Sequence, residues 1–247
     1  MEKAIIYQIF TRLFGNTNTT RKHNGTLTDN GCGKLNAFTP AVLRRIKELG
    51  ATHVWYTGVI RHATTTDYTR YGIPRQHPAV VKGNAGSPYA ITDYYDIDPD
   101  LATNVEKRMN EFESLVKRTH KAGLKMIIDF VPNHVARQYK STAKPKGIAD
   151  FGENDNTGMQ FSPQNNFYYC PEQSFAADID LYHGEELPYE EFPAKATGND
   201  CFGNRPGRND WYETVKLNYG VDYCDAGGVS THFSPTPDTW KTMLDIL

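Results

Sequence analysis

The run Met126-Ile127-Ile128-Asp129-Phe130-Val131-Pro132-Asn133-His134 decides how the chain is read. Apart from Asp129, the residues from Met126 to Val131 are apolar, as in a strand of a parallel sheet covered on both faces by helices. Pro132 has no N–H to give to a ladder, so the strand is expected to end there. An amide and an imidazole follow at once, and polar chemistry begins where the strand stops. In parallel α/β architectures that carboxyl edge is where ligands bind. Asp129 is the discordant residue, because a carboxylate inside an apolar strand is costly without a partner. It reads either as a structural or capping carboxylate at a strand end, or as part of a site.

Working outward, Ala4–Phe10 and Thr52–Thr57 are further strand-like runs. Between them Thr39-Pro40 has the pattern of a helix start, with Thr as N-cap and Pro at the first helical position. Val42, Leu43, Ile46 and Leu49 share one face of that helix, and Gly50 closes it. Strand, helix, strand at this spacing is a βαβ unit. Residues 58–100 form a long excursion rich in Tyr, Thr, Pro and Gly, of a length that is usually functional. Thr103 and Glu106 have capping-box spacing. The helix they introduce places Val105, Met109, Phe112, Leu115 and Val116 on one side and ends near Gly123, before the opening strand at Lys125–Val131.

From Val135 the helix and strand rhythm stops for about eighty residues dense in Gly, Asn, Pro and aromatics, without an internal repeat. A final helix is expected from Thr236-Pro237-Asp238, carrying Trp240, Met243, Leu244 and Leu247.

Composition limits the function classes. Hydrophobic residues make up 38%, charged residues 23%, and the net charge is −2, so no basic patch of nucleic-acid-binding size is present. No stretch has the length and apolarity of a membrane span. Fifteen Tyr, 12 Phe and 3 Trp suit either core packing or a surface that stacks on sugars. Cys32, Cys170, Cys201 and Cys224 show no metal-like spacing; free thiols are expected, with a Cys170–Cys201 bridge as the competing reading. The sequons at Asn18 and Asn24 carry no meaning without a secretory signal. Met1 is followed by a strand-like run rather than a leader, so cytoplasmic residence is the expectation.

Asp129-Phe130-Val131-Pro132-Asn133-His134 resembles the D-x-V-x-N-H signature at the third strand of the α-amylase family of glycoside hydrolases. Tyr89–Pro99 is similar to the family's segment after strand two, in which a Tyr and an Asp flank the sugar site. Glu213–Asn218 resembles the short motif that closes the family's inserted domain. The resemblance implies an α/β fold: strands one to three of a TIM-type (β/α)8 barrel over residues 1–134, an irregular β-rich inserted lobe over 135–217, and a return to the barrel over 218–247. It implies an α-glucan substrate. Tyr89 would stack on the sugar at the scissile position, His134 would hydrogen-bond its hydroxymethyl group, and Asp93, Asp129 and Asn133 would support the site.

Retaining glycosidases need a nucleophile and an acid about 5 Å apart. The family carries these on strands four and five, and the strand-four motif, a Gly-rich start with an Arg two residues before the Asp, does not occur after Asn218. The expectation is a chain truncated before its catalytic carboxylates and inactive alone. A non-catalytic carbohydrate-binding fragment is the alternative. Asp178, Asp180 and Glu213 are the carboxylates left over should activity be found. Calcium is the one cofactor the resemblance raises: Asn133 is a ligand in many relatives, but the closing motif offers Lys216 where an Asp usually stands, which argues against it. Without the rest of a barrel, the edge of strand three would be open to association.

Overall fold

A computed structural model of the chain describes residues 3–178, 187–223 and 237–247. Three strands, β1 (Ile6–Phe10), β2 (His53–Thr57) and β5 (Lys125–Ile128), form a parallel sheet in the order β1-β2-β5. Ile9 stands opposite Tyr56, and Tyr56 opposite Ile128, so residues of the same parity share a face across all three strands.

One face is covered by helices α2 (Pro40–Glu48) and α3 (Arg108–Lys121). Val54 and Tyr56 pack there with Ile9, Leu43, Ile46, Leu115 and Leu124. Thr39 caps α2 through its side chain, which accepts from the Val42 N–H, and Gly50 leaves the helix at φ +88°. The Tyr56 hydroxyl meets the Thr119 hydroxyl at 2.8 Å, tying the central strand to α3.

Two expectations about the opening run need correction. Its strand ends at Ile128, not Val131. A ladder lasts only as long as its partner, and β2 stops at Thr57 before Gly58 turns the chain away at φ +78°. Nor is the run buried on both faces: Ile128 is 37% exposed, and on β1 Ile6 is 51% and Phe10 40% exposed. Ile128 lies on the helix side with Tyr56, whereas Ile6 and Phe10 lie on the face opposite the helices, which β1 leaves uncovered; among the described residues nothing pairs with the outer edge of β5.

The excursion after β2 is also less irregular than its composition implies. β3 (Ile60–His62) and β4 (Ile91–Ile97) pair antiparallel with two register shifts. The start of α3 differs from the expected Thr103 and Glu106 box: Asn104 accepts from the Glu106 N–H, while the Glu111 carboxylate takes the N–H groups of Thr103 and Asn104 at 2.9 and 2.7 Å.

Beyond the sheet, β6 (His134–Ala136) pairs antiparallel with β9 (Thr214–Lys216), His134 opposite Lys216 and Ala136 opposite Thr214. The two motifs that the sequence reading set at either end of the irregular stretch are thus hydrogen-bonded neighbours. Between them lie β7 (Tyr169–Cys170) and β8 (Ala194–Lys195), a two-residue ladder. Helix α4 (Pro237–Ile246) follows; the Thr236 start falls outside the described residues. Met243 is buried, whereas Leu244 and Leu247 are exposed. Cys170 and Cys201 are not bridged to each other; each thiol donates to a carbonyl, of Phe202 and Gly203 respectively, and Cys224 lies outside the described residues. No helix among the described residues is long and apolar enough to cross a membrane.

Candidate functional site

The ends of β2 and β5 meet through one carboxylate. Asp129, the first residue past β5, accepts from the Trp55 indole Nε1 at 2.8 Å and from the Gly58 backbone N–H at 2.9 Å. Its charge is therefore held by two donors outside the ladder, which removes the cost of burying it unpaired inside a strand. Gly58 has no room for a side chain, since a Cβ there would lie 2.9 Å from Pro88. The packed Gly58–Pro88 contact brings the Tyr89 segment against this corner. The Tyr89 phenol is pushed up from its ordinary value, first by partial burial and then by the negative charge of Asp129. Its ring is 37% exposed.

His134 begins β6 and is 5% exposed. Its Nδ1 lies 3.0 Å from the Asn133 side-chain amide nitrogen, and the imidazole hydrogen-bonds the Tyr89 backbone. With Nδ1 accepting the amide proton, Nε2 keeps the ring proton. The ring is neutral: burial depresses its pKa to about 4, the Tyr89 contact opposes that, and the Lys216 charge adds to it. Trp211 packs edge-on against it, the ring centroids 5.2 Å apart and the planes at 61°. The structure thus brings Tyr89 and His134 together, but through the Tyr89 main chain. A hydrogen bond from this ring to a sugar uses the Nε2 proton, since Nδ1 is taken by Asn133.

Asp93 is placed differently from a residue flanking an open site. It is fully buried and accepts from Ser141 Oγ at 2.6 Å and from the backbone N–H groups of Thr142 and Ala143 at 2.7 and 3.1 Å. Arg61 pairs with it at 3.1 Å and with Asp96 at 2.9 Å, and Arg108 forks onto both oxygens of Asp96. This network ties the β3–β4 pair to residues 140–143 and so supports the Tyr89 segment from behind.

Asn133 does not fit a calcium site here. Its amide nitrogen points at two acceptors, His134 Nδ1 and, at 3.3 Å, the Gly198 carbonyl. The Lys216 ammonium pairs with Asp200, so the nearby carboxylate already has its cation. Among the described residues no group of three or more His, Cys, Asp or Glu could hold a metal. Of the remaining carboxylates, Asp178 is exposed, Asp180 lies outside the described residues, and buried Glu213 pairs with Lys82 at 3.1 Å.

Sequence reading missed Trp55, Arg61, Gly198 and Trp211. A polar or charged residue among strand-like neighbours (Arg61) is a usable signal. The other three owe their places to contacts with residues distant in the chain.

A family model described as the α-amylase catalytic domain matches residues 8–188. The chain is 32% identical over 139 residues to the trehalose-6-phosphate hydrolase of Bacillus subtilis, covering 56% of this chain and 18% of that protein. It is 28% identical over 174 residues to maltase A2 of Drosophila melanogaster, covering 66% of this chain and 24% of that protein. The chain therefore spans about a fifth to a quarter of the curated relatives it matches. An α-amylase structure from Lactobacillus plantarum aligns with a TM-score of 0.50 and 20% identity, covering 98% of this chain and 35% of that one, a likeness of fold.

Proposed function

The chain belongs to the α-amylase family, and from that premise we propose that it forms the α-glucan-binding part of a glycoside hydrolase that works with retention. The observation that supports this best is the half-exposed Tyr89 ring, held through its own backbone by a buried, neutral His134 at the carboxyl ends of β2 and β5. A flat ring fixed in this way offers an apolar face to a pyranose without having to be ordered on binding. In this reading Tyr89 stacks on the sugar, and a hydroxymethyl oxygen takes the Nε2 proton of His134. Asp129 and Asn133 hold the two rings, and Asp93 braces the segment behind Tyr89. Calcium plays no part in it.

The chemistry of bond cleavage needs a carboxylate pair that this reading assigns to later strands of the family's barrel. These 247 residues then supply orientation, and the outer edges of β1 and β5 are where the rest of a barrel, or another copy, would associate. A non-catalytic carbohydrate-binding module is the second reading. It is favoured by the way Asp129, Asp93 and Glu213 are all engaged by Trp55, Arg61 and Lys82.

Titrating the protein with maltoheptaose tests the assignment by NMR. The side-chain signals of Tyr89 and His134 should move together, and Tyr89→Ala should remove the response. Oligosaccharide that leaves both signals in place would reject it.

A further inference from the structure

We propose that the cavity beside the end of β1 binds a phosphoryl group, carried by a small sugar or free as inorganic phosphate, and that Arg12 and Arg21 hold it. The inference stands apart from the reading of Tyr89 and His134, since neither residue lines this cavity. Its volume of about 500 Å³ lies in the range of small-molecule sites. The walls come from Phe10, from the loop that follows β1, and from residues 84–86 of the excursion after β2.

The side-chain amides that line the cavity are already engaged in shaping it. Asn16 donates to the Asn30 carbonyl at 2.9 Å, and its Oδ1 accepts from the Asn18 N–H at 3.1 Å. Asn30 in turn takes the Lys22 N–H at 2.7 Å and donates to the Lys22 carbonyl at 2.9 Å. Asn84 reaches across from the other wall and donates to the Asn24 carbonyl at 2.5 Å. These contacts hold the loop open around the cavity and leave its amides little to offer a ligand.

The two guanidinium groups are different. Arg12 pairs with Asp100 through Nη2 at 2.5 Å, while its Nη1 is buried with no acceptor. A charged donor in that position is costly until an acceptor reaches it. Arg21 is exposed, and among the described residues no side chain or carbonyl takes its N–H groups. Asp100 answers the charge of Arg12 and Asp29 that of Lys22, so the charge of Arg21 is the one without a counterpart. A neutral hydroxyl answers neither need. A phosphoryl group carries the charge and presents several oxygens to two guanidinium forks, the pairing for which this side chain is suited. Phe10 and Leu13, both exposed, set an apolar wall beside it for the carbon part of a small ester.

Calorimetric titration of the full chain with glucose 6-phosphate and with inorganic phosphate, at an ionic strength held constant with chloride, tests this in the wild type, Arg21→Gln and Arg12→Lys. Glucose is the neutral control and should leave the phosphate titration unchanged. Arg21→Gln removes a side chain without protein partners, so the thermal midpoint should hold while binding weakens about tenfold. Arg12→Lys keeps a cation for Asp100 but loses the fork, and should weaken binding by a similar factor. Tighter binding of the ester than of the free ion assigns the site to a phosphorylated sugar, and equal binding assigns it to inorganic phosphate. No heat from either phosphate refutes the site, as does binding that Arg21→Gln leaves unchanged. Maltoheptaose reports on Tyr89 separately and should bind Arg21→Gln as it binds the wild type.

Discussion

The Trp55 indole donates to Asp129 across 2.8 Å, joining residues 74 positions apart at the ends of adjacent parallel strands. The second oxygen of the same carboxylate takes the Gly58 N–H at 2.9 Å, so a single acidic side chain fixes the corner on which the Tyr89 segment rests.

Asp129→Asn keeps the shape but offers one acceptor where two are used, so either Trp55 or Gly58 faces an N–H instead of an oxygen. A loss of about 2 kcal/mol is expected, measured as a lower urea midpoint at unchanged slope. The same change removes a negative charge that holds the Tyr89 phenol up, so that phenol should titrate at lower pH. A Tyr89 titration that does not move would show that burial alone sets it.

His134 gives stability a pH dependence whose sign can be worked out. Its folded pKa of about 4 lies below the value of about 6.5 expected when unfolded. Between these values the unfolded chain binds the extra proton, so stability falls as pH drops from about 6.5 toward about 4 and no further below that. The loss should be on the order of 2–3 kcal/mol for a ring this buried. His134→Gln should flatten that part of the profile; an equal slope in both proteins would place the effect in other groups.

Much of the fold was legible because its signals are local. Thr39 caps α2 and Gly50 ends it as their residue types require, and the apolar faces of α2 and β2 form the core. The length of the third strand was not legible. Phe130 and Val131 have strand character, but β2 ends at Thr57 and leaves them without a partner. The β3–β4 pair was hidden by its charges. Arg61 inside a ladder is tolerable only because Asp93, Asp96, the Thr92 and Thr142 hydroxyls and the Lys140 carbonyl, the last 79 residues away, receive its five N–H groups. At the site, Tyr89, Asn133 and His134 were found from motif, whereas Trp211 meets His134 only through the folding of a distant loop, its N–H held by Asn199 Oδ1.

Lys216 pairs with Asp200 and adds its charge to the field that keeps His134 neutral. The thermal midpoint should accordingly be the same with calcium, with chelator, and with neither. Lys216→Ala should cost little stability, since the Asp200 partner is largely exposed, but should raise the His134 pKa. A midpoint lowered by chelator would restore calcium to Asn133.

The strongest test concerns turnover. Retaining hydrolysis needs an acid and a nucleophile about 5 Å apart and open to the sugar. The candidate carboxylates are engaged: Asp129 by Trp55 and Gly58, Asp93 by Arg61 and Ser141, and Glu213 through one oxygen by Lys82. Asp98 and Asp100 are buried with His62, Tyr68 and Arg12. Residues that orient a substrate accelerate nothing without groups that react with it. A pure preparation of these 247 residues, checked by intact mass, should bind maltoheptaose yet release no reducing sugar from starch. Turnover within an order of magnitude of an ordinary amylase would overturn this. Asp178→Asn, Asp180→Asn and Glu213→Gln would then show which carboxylate carries the chemistry, and the engaged state of Glu213 with Lys82 would have to be one the substrate breaks.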